Sequence, residues 1–181
     1  MGRQLFQDGP YIDPPVTSPG AYSTTTIAPL WPAAAWTPIF ANDPKAGKIY
    51  CVRAGGIITM SVNTCSLLIT PKYGTGGVAL GAGPAQILPI MTNIPWYLQA
   101  ELVFRTIGVA GTNSTAVLSG VMSIQGTLAT AGAGTNVVFG STASVSIDAT
   151  INSNIEINTT LGGTTGAPSL QTLWAYLFSR N

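Results

Sequence analysis

Six carboxylates, Asp8, Asp13, Asp43, Glu101, Asp148 and Glu156, carry nearly all the acid and base chemistry this chain can offer, because its 181 residues include no histidine. That absence removes the Ser-His-Asp and Cys-His nucleophile pairs, most zinc sites and the usual general base near neutral pH. Glycoside hydrolysis needs two carboxylates facing each other across a sugar. Glu101 with Asp148 or Glu156 is the pairing the sequence leaves open, since all three fall in segments with a strand-like pattern. Asp148 and Glu156 lie among Ser, Thr and Asn, as solvated residues do, and the reading is of a protein that is not an enzyme. No residue is assigned to catalysis, to a cofactor or to a metal.

Glu101 sits in "PWYLQAELVFRTIG". Trp96, Leu98, Ala100, Leu102 and Phe104 alternate there with Gln99, Glu101 and Arg105, which is the two-residue period of a half-buried strand. Glu101 and Arg105 share its polar side and are expected to meet a neighbouring strand or solvent rather than each other. The glycine-rich "YGTGGVALGAGP" has no following Lys-Ser/Thr and runs into Pro84, so it reads as a loop and not a phosphate cradle. The acidic residues are too scattered for calcium. The sequons at Asn113 and Asn158 matter only in a secreted eukaryotic protein. Trp31, Trp36, Trp96 and Trp174 suit a core or an interface better than a sugar platform. Cys51 and Cys65 flank "GGIITMSV"; buried thiols are the favoured reading, with a bridge left open.

Charged residues make up 7% of the chain and hydrophobic ones 46%, for a net charge of +1. The stretch from Thr106 to Ile147 has no charge at all. Seven scattered Lys and Arg give no footprint for a phosphate backbone, so nucleic acid is not an expected partner. A chain this poor in charge makes a poor colloid as a monomer, which points to surface covered by another chain. No signal-peptide core and no run long enough to span a membrane are visible; a soluble protein is expected.

Eight of the thirteen prolines precede Lys45, and proline disfavours both helix and central strand. Residues 1–44 are expected to form an extended arm and residues 45–181 a β-sandwich domain. Tyr11, Tyr22, Leu30, Trp31, Trp36 and Phe40 are the arm's candidate interface anchors. They either wrap their own domain or reach a neighbouring subunit. From Lys45 onward, "KIYCVRA", "GIITMSV", "SLLIT", the strand of Glu101, "TAVLSGVMSIQG", "NVVFG", "ASVSIDATIN", "IEINTT" and "LQTLWAYLFSR" alternate between turn signals. About eight strands at this spacing predict an all-β, antiparallel β-sandwich of jelly-roll type.

Gly47, Lys48, Ile49 and Tyr50 open one strand; Pro95 and Trp96 precede another that ends in Arg105 to Gly108; Gly111 and Thr112 form a turn before a strand with central Gly120. This pattern resembles small structural virion proteins of tailed bacteriophages. It spans under half the chain. The resemblance implies a β-sandwich that assembles, commonly as a homotrimer, on the capsid exterior or in a tail, with the major capsid protein or other virion proteins as partners, after synthesis in the host cytoplasm. It carries no catalytic residues. A capsid decoration or cement protein is the function expected; a tail-tip or fibre-head module that binds a host-surface glycan through Lys72 to Pro84 and Tyr73 is the alternative.

Overall fold

A computed structural model of the chain describes residues 27–31, 38–60, 65–74, 77–111, 113–126, 134–162 and 168–180. Tyr11, Tyr22 and Trp36 lie outside these residues. The described residues form strands β1 (Ala28–Pro29), β2 (Ile49–Met60), β3 (Ser66–Tyr73), β4 (Val78–Ala79), β5 (Gln86–Ile87), β6 (Met91–Thr106), β7 (Ser114–Ile124), β8 (Thr135–Gly140), β9 (Val145–Ile147), β10 (Ile155–Gly162) and β11 (Ser169–Arg180).

Every pairing is antiparallel, and the strands fall into two sheets. The smaller has the order β1-β10-β3-β4, with β5 also on β3; the larger has the order β11-β2-β6-β7-β8, with β9 also on β7. The period-two pattern dictates which side of each strand is buried. On β6, Trp96, Leu98, Ala100, Leu102 and Phe104 face the core; on β7, Ala116, Leu118, Met122 and Ile124 do so. Val52, Ala54, Ile58, Leu67, Ile69, Ile155, Ile157 and Leu161 close the same core from β2 and the smaller sheet. Phe104 lies at its centre, with Tyr50 and Tyr73 edge-on to its ring at 5.8 and 6.0 Å.

Ile49–Met60, which spans the junction of "KIYCVRA" and "GIITMSV", is one strand of 12 residues, β2. Gly55 and Gly56, at the junction of the two segments, stay in the ladder opposite Tyr97 and Trp96. The alternation of "ASVSIDATIN" stops early. β9 ends at Ile147, because Asp148 turns back to accept the Thr150 amide and hydroxyl at 2.8 and 2.6 Å, an Asx turn that competes with strand pairing.

β2 pairs with β11 in one sheet while the strands that adjoin them in sequence, β3 and β10, pair in the other. A single antiparallel ribbon therefore folds over the sandwich. Both sides of the sandwich are laced. On one, β1 pairs with β10, and Thr172 of β11 reaches the carbonyl of Leu30. On the other, Ser141 after β8 bonds both the Leu80 carbonyl and the Leu118 amide.

Candidate functional site

The three carboxylates that sequence allows as an acid/base pair are not brought together. Glu101 is on the outer face of the larger sheet, while Glu156 alternates with core-facing Ile155 and Ile157 on β10 of the smaller sheet and so faces the opposite side, where it is buried at 7% exposure rather than solvated as its neighbours in sequence suggest. Asp148 has its oxygens committed to the Thr150 turn and to the Gly111 amide at 3.0 Å. Those hydrogen bonds, the Thr150 hydroxyl first, hold its carboxyl below the ordinary range. Among the described residues no three His, Cys, Asp or Glu side chains form a group that could hold a metal ion. Cys51 and Cys65 are both buried and unbridged. Glu101 meets Arg180 at 4.0 Å rather than Arg105.

The arm's anchors divide. Leu30 and Trp31, at 0% and 2% exposure, fill the core of their own chain. Ile39 joins them through a bridge to Ser153. Phe40 points the other way and is 64% exposed. The described part of the arm is thus built into the sandwich up to its last residues. Tyr73, named above for glycan contact, is corrected: it is 5% exposed beside Phe104, and burial pushes its phenol up to about 12.

One polar cluster is pinned at the base of β2. Asp43 accepts from Lys48 Nζ at 2.6 Å and from the Tyr50 hydroxyl. Burial opposes the charge on Asp43, but the Lys48 and Tyr50 hydrogen bonds and the charges of Lys48 and Lys45 outweigh it and lower its pKa. Burial and the bond to Asp43 raise that of Tyr50 far above the tyrosine range. The cluster is a clamp between the 39–48 loop and the core, with the Asp43 carboxylate partly open to solvent.

The outer face of the larger sheet is different. An antiparallel sheet with one solvated face normally alternates apolar-in, polar-out, yet here a row of rings lies outside. Tyr97, Trp174, Tyr176 and Phe178 follow one another at centroid separations of 5.9, 5.7 and 5.8 Å. The Trp174 and Tyr176 rings are inclined by only 19°. The register explains the row: Trp174 is opposite Gly55, which is opposite Tyr97, so no side chain stands between the rings. A Cβ on Gly55 would come within 2.6 Å of the indole. Arg53 and Arg180 cover Phe178 at 5.3 and 5.2 Å and end the row, an arrangement favoured by cation–π attraction.

No family model matches the chain, and no curated protein or solved structure matches it.

Sequence reasoning finds the alternation of Trp174, Tyr176 and Phe178 but not the direction these rings take. A bulge between Thr172 and Trp174 puts Thr172 inside and the rings outside. Of the tryptophans assigned to core or interface, Trp31 and Trp96 are in the core and Trp174 is half-buried on the outer face of the larger sheet.

A second exposed feature gathers at one end of the sandwich. Ala41 and Asn42 bond Asn152 and Ala149, and Gly111 bonds Asp148, so the loops around residues 40, 109 and 151 are neighbours. Their apolar residues are turned outward: Phe40, Ile107, Val109 at 77% exposure, and Ile151.

Proposed function

We propose that the chain is a non-enzymatic structural protein of a tailed-bacteriophage particle, a capsid decoration or cement protein that binds the outer shell as a homotrimer. The observation that carries this reading is the apolar crown of Phe40, Ile107, Val109 and Ile151 on neighbouring loops. Loops set on a rigid sandwich are where binding residues are commonly presented, and a cluster of exposed apolar side chains marks a surface that other protein covers. The low charge of the chain supports permanent rather than transient contact, and the likeness of residues 47–120 to virion proteins supports the particle.

The test is light scattering of the purified chain at micromolar concentration, followed by sedimentation with shells assembled from the major capsid protein of the same particle. A trimer that sediments with shells, and a Phe40→Ser, Val109→Ser, Ile151→Ser variant that does not, is the expected result. A monomer that stays in the supernatant overturns the reading. A tail-tip or fibre-head module that binds a host glycan is the second reading, favoured by the exposed rings of the larger sheet.

A further inference from the structure

We propose that Tyr97, Trp174 and Tyr176 form a stacking platform for an extended oligosaccharide of pyranose sugars. The site lies on the sheet face and uses none of the loop residues expected from the sequence. It is independent of the crown of apolar loops, so either can fail alone.

Four observations converge on it. The steps of 5.9 and 5.7 Å between successive rings are close to the length of one pyranose unit in an extended chain. Trp174 lies over Gly55 at a distance that a side chain there would forbid, so the backbone of β2 is shaped to the indole. The rings are neither buried nor fully solvated: Tyr97 is exposed, and Trp174 and Tyr176 are half-buried, which leaves one side of the row open.

The fourth observation is the polar border. A sugar presents hydroxyl groups around an apolar ring face, and its partner needs both donors and acceptors beside an aromatic surface. Arg53 Nη1 donates to the Tyr176 hydroxyl at 3.3 Å, while its Nε is buried without a hydrogen-bond partner. Gln99 accepts from the Tyr97 hydroxyl at 3.4 Å, and Glu101 and Arg180 stand beyond it, 4.0 Å apart. A wholly apolar protein partner would leave the exposed groups of this border desolvated and poorly paired; sugar hydroxyls pair with Gln99, Glu101, Arg180 and the Tyr97 and Tyr176 hydroxyls.

The experiment titrates the full chain with cellohexaose, xylohexaose, N-acetylchitohexaose and an oligogalacturonate, read by tryptophan fluorescence and calorimetry, with mass checked by light scattering. Saturable binding of at least one, weakened about tenfold or more by Trp174→Ala and by Tyr97→Ala at unchanged mass and melting temperature, is expected. Tyr97 reaches solvent, so its variant keeps the test open if Trp174→Ala fails to fold. The neutral and acidic sugars distinguish a hydroxyl-reading site from one in which the arginines take a carboxylate. Absence of binding by all four at millimolar concentration overturns the proposal. So does binding that both variants leave unchanged, or a fall in mass on Trp174→Ala, which would make the row an interface between copies.

Discussion

Thr172 donates its hydroxyl to the carbonyl of Leu30 across 2.6 Å inside the core. Leu30 in turn donates its amide to Ile157 of β10, so this short segment joins the free edges of the two sheets. Replacing Thr172 with Val keeps the shape and leaves a buried carbonyl unpaired. The expected cost is about 1–3 kcal/mol in urea unfolding, with Thr172→Ser recovering most of it. Loss in Thr172→Ser with none in Thr172→Val would mean that the methyl group, and not the bond, matters.

Deletion of residues 1–44 is expected to unfold the domain rather than to trim an accessory. It removes Leu30, Trp31 and Ile39 from the core and strips β10 of β1, the shorter of its two partners. Trp31→Ala alone is expected to cost about 3–5 kcal/mol, as large-to-small changes in packed cores do. Circular dichroism of a chain starting at Lys45 reads the outcome; a cooperative melt at the native temperature would contradict it.

Stability should fall at both ends of the pH range for identified reasons. The pKa of Asp43 is lower folded than its ordinary 3.8, so its contribution is complete above that value and is lost as pH drops through the folded one. Asp43→Asn should flatten the acid limb and cost about 1 kcal/mol at neutral pH, a figure kept small by the exposure of the carboxylate. Tyr73 runs the opposite way. Raised from 10.0 to about 12, it stabilises fully below pH 10 and loses that contribution as pH rises toward 12. Tyrosinate absorbance against pH should show Tyr73 and Tyr50 ionising after the ordinary tyrosine range, together with unfolding.

Both thiols should resist reagents until the chain opens. Cys51 is shielded at 1% exposure, and burial, with the nearby Glu101 carboxylate, raises its pKa; the thiolate is the reactive form. Aromatic disulfide reagents are expected to label neither Cys51 nor Cys65 under native conditions and both in denaturant. Rapid native labelling of Cys51 would show that the arginine-covered row lifts off the sheet.

The sandwich was legible because its strands obey the period-two rule: β6, β7 and β11 declare their core faces or their ring rows through Leu102, Leu118 and Trp174 alone. What period cannot tell is where a strand stops or which way a face turns. Asp148 ended β9 through a side-chain bond that alternation does not register. Gly55 and Gly56 lie where two alternating segments meet, and Gly55 is the clearing in which Trp174 lies. Strand order also escaped, since nothing in the sequence says that β2 takes β11 and β6 as its neighbours. The site was legible in part. The tryptophan pattern suits a core or an interface without choosing between them, and the bulge after Thr172, which turns Trp174 outward, has no local signature. Ile151 belongs by alternation to the apolar face of "ASVSIDATIN" yet is exposed, and Ile107 and Val109 carry no pattern, because exposure is a property of loop packing.

The ribbon that joins β2 to β11 and β3 to β10 ties residues 49–73 to residues 155–180. Contacts between such distant parts of a chain form late and slowly. On the ribosome, β2 and β3 must wait with their edges uncovered until β10 and β11 emerge, so a product broken off before Trp174 has no closed sandwich. The topology thereby acts as a proofreading step: only chains synthesised through β11 can present folded surface to a partner.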